Sequence, residues 1–289
     1  MKSKKGPDSY FSKILLQINN KLGGFNYFLN LVDAIEEKNI ILMGIDSSHK
    51  WGRMTSKYNN KKICLAMVST KDKKFSEFFS KSEIINYEKN YDLNISSEIY
   101  NFIKQSIEKY SEKNKEAPKN IIIYRQGVQH NHLKIIRNEA LKIEEICKKL
   151  NLKYYYVVIN TRETIKFFEL NLDNKGKNSG KMTKFKNPEQ GLIISSKVTN
   201  KKRFEFYIQP QKVNIGSATP TYFRVPCGNI DNRKLLKLLT YWTSYIYQNW
   251  QNAVRIPHVV KMAEKLGSIT ANFTNSKLNE KLNDKQSFL

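Results

Sequence analysis

Apolar positions along this chain alternate between two rhythms. Between residues 9 and 22, Phe11, Ile14, Leu15, Ile18 and Leu22 recur at the three-and-four spacing of a helix face, with Pro7-Asp8 as a start and Gly23-Gly24 as a stop. Gln17 and Lys21 lie four apart on its polar side and so share a face. The run IILMGID (40–46) is apolar almost throughout and ends on a carboxylate, the pattern of a central strand buried on both faces. KICLAMVST (62–70) predicts a second strand beside it, and 75–80 a third. Helical spacing returns from Ile95 to Tyr110 through Ile99, Phe102, Ile103 and Ile107. NIIIYRQG (120–127) predicts another buried strand and YYYVVIN (154–160) a further one. Between them, 133–150 predicts an amphipathic helix through Leu133, Ile136, Ala140, Ile143, Cys147 and Leu150. This alternation predicts an α/β fold, a central sheet flanked by helices.

The second half is less regular. DNKGKNSGKMTKFKN (173–187) has no apolar period and predicts a basic low-complexity loop, either a solvated insertion or an arm that tracks a strand. GLIISSKV (191–198) and RFEFYIQP (203–210) predict two strands, followed by a helix near 232–249 and a shorter one after Pro257. The tail is polar and Lys/Asn-rich but closes on Phe288-Leu289.

Charge adds a partner class. The 289 residues hold 50 Lys+Arg against 26 Asp+Glu, a formal net charge of +24. A polyanion complements such a field, and counterion release would dominate its affinity. A composition rich in Lys, Asn, Ile and Tyr produces the same excess, so charge names no site. Cys64, Cys147 and Cys227 are far apart and form no CxxC pair, which points away from a zinc site or a disulfide framework and fits a reducing compartment. No apolar run approaches the roughly 18–20 residues that span a bilayer. The start, MKSKKGPDSY, lacks the apolar stretch of a signal peptide. The expected setting is cytoplasm or nucleus, without a membrane partner.

Familiar catalytic signatures are missing: no Gly-rich phosphate loop, HExxH or GxSxG motif occurs. His49, His130, His132 and His258 do not have metal-cluster spacing. His130 and His132 follow a strand and are either phosphate contacts or ordinary loop residues. Asp46 is the most suggestive single residue. A carboxylate ending a buried strand can hold a divalent cation, as in nucleases that clamp two metals roughly 3.5–4 Å apart. It is equally the residue type that opens a turn.

Several segments in order carry a resemblance: QINNKLGG (17–24), GIDSSHK (44–50), IIIYRQGV (121–128), VVINTR (157–162), GSATPTYF (216–223), LTYWTSYIYQNW (239–250), VRIP (254–257), MAEKLG (262–267) and the terminal SFL. Together they resemble the PIWI domain of Argonaute proteins, of the PIWI clade, from about Ser9 to Leu289. The resemblance implies an RNase H-like fold that grips a small guide RNA and a complementary target. It assigns 1–24 to the end of a MID domain and 25–289 to the PIWI domain. The family's proteins are much longer, with N, PAZ and complete MID domains ahead of this point.

The resemblance also implies roles. Asp46, in GID, matches the family's first catalytic aspartate. Where the family reads YRDG this chain reads YRQG, so Gln126 replaces a metal-binding aspartate with a neutral amide, a weak ligand for a hard cation. The family's last ligand is a His in a YAHKLA-like segment; MAEKLG places Glu264 there, which keeps a metal-competent carboxylate. The remaining ligand is a glutamate on a finger: ungapped counting lands on Asn94, and Glu98, one turn later, comes into register through a local gap. Asp46 and Glu264 are then the metal ligands for Mg2+ or Mn2+, with Glu98 as a third candidate. Two divalent ions repel strongly at such separations, and without a carboxylate at 126 they are under-neutralised. The expectation is absent or weakened cleavage. On the binding side, Lys21 and Gln17 match the QINxK motif that faces a guide 5′-phosphate, and Leu289 would supply a carboxylate that holds a second ion there.

Three functions follow: a guide-RNA binding module in RNA-mediated silencing, a metal-dependent RNA-guided endonuclease, or a platform for Trp-containing protein partners.

Overall fold

The computed structural model describes residues 7–26, 28, 39–49, 62–86, 91–128, 133–170, 185–196, 198–273, 279–284, 286 and 288. At its centre, β1 (Ile40–His49) is buried without interruption from Ile40 to Asp46. It pairs antiparallel with β2 (Lys62–Thr70) on one side and parallel with β4 (Asn120–Arg125) on the other. The strand β3 (Phe78–Asn86) continues outward from β2. Beyond β4 lie β5 (Lys153–Asn160), β10 (Thr221–Gly228), β9 (Phe204–Gln209) and β8 (Leu192–Ser195). The sheet is therefore mixed, with order β3-β2-β1-β4-β5-β10-β9-β8.

Alternation along β1 divides the core in two, because successive side chains point to opposite faces. Ile41, Met43 and Ile45 join the cluster with Ile95, Ile99 and Phe102 of α2 (Tyr91–Asn114) and Ile136 and Ile143 of α3 (Leu133–Lys149). Ile40 and Leu42 join the other, with Leu236 and Leu239 of α4 (Arg233–Trp242) and Val259, Val260 and Leu266 of α5 (His258–Phe273). The expected central sheet flanked by helices is what the chain forms.

Close approach on the α5 side depends on glycine. A Cβ at Gly44 would sit 2.4 Å from the Val259 carbonyl carbon, so α5 begins directly against the β1 backbone. Gly267, further along α5, lies less tightly against Ser48 and Ala66, where a Cβ would meet side-chain atoms at 3.0 and 3.2 Å. These contacts bring the last long helix of the domain across its first strand.

The helix α1 (Pro7–Lys21) differs from the rest. Of its predicted apolar face, Phe11, Leu15, Ile18 and Leu22 are exposed and Ile14 is half-buried. Asn20 is fully buried and its amide donates to Asn249 Oδ1 at 2.9 Å, while the backbone N–H of Asn26 donates to Gln248 Oε1. Polar contacts thus hold the end of α1 to the segment after α4.

Five expectations change. Residues 75–77 form a turn and not a strand start: Phe75 has φ 57°, and the Asp72 carboxylate accepts the Ser76 and Glu77 backbone N–H groups at 2.8 and 2.7 Å. The Lys74 N–H, donating to Asp72 Oδ2 at 3.2 Å, closes an Asx turn, and this turn delays β3 to Phe78. The helix near 232–249 stops at Trp242, where the hydroxyls of Thr243 and Ser244 donate to the carbonyls of Leu239 and Tyr241. Hydroxyls bonded back to the helix compete with its continuation. The helix after Pro257 is the longer of the two, 16 residues against 10. Strand β10 was not foreseen, because Pro226 interrupts its alternation; its register against β5 shifts between Arg224 and Cys227. Within the expected loop, Phe185–Lys186 (β7) pairs with Glu169–Leu170 (β6), and 171–184 lie outside the described residues.

Candidate nucleic-acid cleft

Parallel strands β1, β4 and β5 all end on the same side of the sheet, and side chains at and just past their C-terminal ends converge there. They line a hollow of about 920 Å³ together with the middle of α5. Asp46 comes from β1, Gln126 follows β4, Asn160 ends β5 and Arg162 follows it, and Glu264 projects from α5. The fold therefore brings together three of the four candidate catalytic positions. Glu98 is not among the lining residues: it lies in α2 and its carboxylate is 3.3 Å from Lys81 Nζ on β3. Asn94 falls in the first turn of α2.

Each carboxylate has a distinct environment. Asp46 is 4% exposed, and burial pushes its carboxyl above the ordinary aspartate value. The Ser48 hydroxyl, which donates to Asp46 Oδ2 at 2.8 Å, and the Arg125 guanidinium oppose that shift, while Glu264 adds to it through like charge. Glu264 is half-buried and paired with Lys261 one turn back, at 2.7 Å.

Gln126 is held by its backbone, whose N–H donates to the Ile45 carbonyl at 2.8 Å. Its side-chain Oε1 is buried and accepts no hydrogen bond among the described residues. A buried acceptor without a donor costs about 1–3 kcal/mol, so this oxygen would gain from a cation or a ligand donor at the cleft.

Beneath the cleft lies a charged network that sequence reasoning missed. Arg125 is fully buried, and its Nε lies 3.1 Å from Glu139 Oε2 of α3. The Tyr156 hydroxyl donates to the same carboxylate, and Arg125 Nη1 donates to Ser47 Oγ at 3.2 Å and to the Gln126 carbonyl at 2.6 Å. Arg125 thereby fixes the main chain on which residue 126 is mounted. The signal was available, since Glu139 stands three residues after Ile136 and next to Ala140, on the apolar face of α3. Gly127 completes the turn at φ 87°; a Cβ there would meet the Ser47 backbone oxygen at 2.8 Å.

The donors present can be compared with a divalent cation. Two carboxylates and one orphaned amide oxygen suit a single hard ion that keeps several waters. They do not suit a pair of ions, and the described residues contain no group of three or more His, Cys, Asp or Glu that could hold a metal. The other candidates lie elsewhere. Gln17 and Lys21 are exposed on α1 and do not line the cleft. Leu289, His130 and His132 lie outside the described residues, whereas Phe288 is buried in the core. No described helix is long and apolar enough to cross a membrane.

Comparison with known proteins decides the family, since the Piwi domain matches residues 1–275. The chain belongs to the Piwi domain family. Piwi-like protein Siwi of Bombyx mori is 27% identical over 99% of this chain, and the match covers 30% of that protein. The crystal structure of Drosophila Piwi superposes with a TM-score of 0.74 at 20% identity, covering 99% of this chain and 37% of that one. The structure of Kluyveromyces polysporus Argonaute with a guide RNA gives 0.73 at 17% identity, covering 97% and 36%. The fold is thus the RNase H-like one of Piwi domains, and the chain spans about 30% of the length of the curated relatives it matches.

Proposed function

We propose that this Piwi chain holds a small guide RNA and its complementary target in RNA-guided silencing, and that it cuts the target weakly or not at all. The observation that carries the reading is the convergence of Asp46, Gln126 and Glu264 in one polar cleft with a neutral amide at the middle position. The net charge of +24 supports an RNA partner, and the solved Argonaute with a guide RNA shares the fold. Asp46, Glu264 and the Gln126 oxygen would hold one Mg2+ or Mn2+ ion. Such an ion would polarise a phosphodiester, whereas a two-ion mechanism clamps both the attacking and the leaving oxygen. The chain's own residues orient and bind: Arg125 sets the residue 126 main chain, and Arg162 offers a guanidinium to a phosphate at the cleft mouth.

We assign α1 and the turn that follows it, through residue 24, to a neighbouring MID unit. Its open apolar face supports that division. Exposed Gln17 and Lys21 are proposed to face the guide 5′-phosphate, with Leu289 as a further contributor.

A cleavage assay tests the reading directly. With a 5′-phosphorylated guide, a labelled complementary RNA and Mg2+ or Mn2+, the native chain should bind the paired strands and leave the target intact. Gln126→Asp should raise cleavage at least about tenfold, because a third carboxylate then faces the ions. Robust cutting by the native chain would overturn weakened cleavage and favour the endonuclease reading.

A protein-docking role is the second reading. It is favoured by a groove of about 320 Å³ between α2 and α3, lined by Tyr100 and Ile146. Capture by Trp-containing peptides that persists at high salt would support it, whereas RNA binding weakens steeply with salt.

A further inference from the structure

The far end of β10 carries a second concentration of positive charge. Where its register against β5 shifts, β10 walls a hollow of about 400 Å³. Lys202 and Arg203 reach this hollow from the turn before β9, Arg224 from β10, and Arg233 from the first turn of α4. Asp231 is the single carboxylate in its lining. The Arg233 guanidinium lies over the Phe204 ring, 5.0 Å from its centroid, which holds that charge at the hollow by a cation–π contact. Arg203 has only a loose partner, Glu205 at 3.8 Å. Among the described residues, Lys202, Arg224 and Arg233 form no ion pair with a carboxylate. The first turn of α4 contains no acidic residue, so the helix dipole adds to the same field.

Four like charges from three elements around one concavity repel one another; Glu205, opposite Arg224 in the β9–β10 register and 3.8 Å from Arg203, and Asp231 offset only part of that charge. An anion with several oxygens would offset the rest. Arginine forks match phosphate oxygens in pairs, and the volume is that of a site for a small ligand and not for a single ion. We propose that this hollow binds a phosphate-bearing ligand, with Arg224 and Arg233 as its main contacts. The hollow is separate from the cleft. Tyr222 pairs with the cleft-lining Asn160 and Gly228 with Tyr155, so the two sites lie five residues apart along β5. At the usual rise per residue that is about 16 Å. The proposal therefore does not depend on what the cleft does.

Calorimetric titration at low ionic strength tests it, with inorganic pyrophosphate as one probe and an unphosphorylated RNA octamer as the other. Binding should weaken at least about tenfold in the Arg224→Gln/Arg233→Gln double variant, the scale of one or two charge-assisted hydrogen bonds. A loss seen with pyrophosphate assigns the hollow to a free phosphorylated molecule. A loss confined to the octamer assigns it to a nucleic-acid backbone. Guide–target duplex binding at the cleft should be unchanged, which separates the two sites. Arg233→Gln alone alters an exposed side chain, so it keeps the test valid if the double variant does not fold; it should weaken binding severalfold. Equal affinity of native and variant chains for both probes overturns the proposal, as does the absence of binding to the native chain.

Discussion

Single residues set what the cleft can do, and the most consequential are buried. Arg125 and Glu139 are 0% and 3% exposed, and each compensates the other. Glu139→Leu would strand the guanidinium under the cleft. Removing one partner of a buried pair costs about 3–5 kcal/mol, and urea denaturation should show that loss. His258 gives a pH signature. Burial lowers its pKa to about 3, from an ordinary value of 6.5, and its Nε2 has no partner among the described residues. Between those values the unfolded chain binds a proton that the folded chain does not. Stability is therefore full above pH 6.5 and falls as pH drops toward 3, with a slope approaching about 1.4 kcal/mol per pH unit. In His258→Gln that component of the slope should vanish from thermal melts across the same window. An identical slope would show that other groups carry the acid sensitivity. Asp46, Gln126 and Glu264 were legible from sequence because each sits in a short ordered motif, and the cleft contains all three. Glu98 depended on a gap that spacing cannot fix, and it lies with Lys81.

At the scale of elements, the sheet was legible where strands are buried on both faces. A continuous apolar run has one plausible place, the middle of a sheet, and β1, β4 and β5 are there. The edges were not legible. Strand β10 carries a proline and a register shift, and α4 is stopped by hydroxyl-to-carbonyl bonds that depend on local geometry and leave no periodic trace. The same scale holds a packing prediction. Gly44→Ala would drive a methyl group into the Val259 carbonyl and lift α5 from β1. Overpacking of this kind costs about 1–3 kcal/mol, readable as a lower urea midpoint. Because Glu264 rides on α5, the change should also weaken any Mn2+ binding at the cleft, measured by calorimetry. An unaltered midpoint would show that α5 is less firmly seated than the contact implies.

Across the whole molecule the dominant quantity is charge. On the proposed function, a chain with a net +24 holds RNA by its phosphates and should lose affinity as salt rises, with a linear log–log dependence. Six to ten phosphate contacts correspond to a loss of about 10³–10⁵ between roughly 50 and 200 mM salt. A flat dependence in filter binding would remove RNA as the main partner and leave the groove between α2 and α3 as the stronger site. Composition pointed to a polyanion as the expected partner class. It could not separate the cleft from the second basic hollow, because that distinction arises only when β10 and α4 are folded beside each other.

The seating of α5 on β1 also imposes an order in time. Asp46 and Glu264 are 218 residues apart along the chain, so the cleft closes only after the intervening sheet has formed. Contacts between such distant parts of a chain are slow to make and come late in folding. Until then β1 has no cover on its α5 side, and Asp46 stands without the Glu264 charge that faces it in the finished fold.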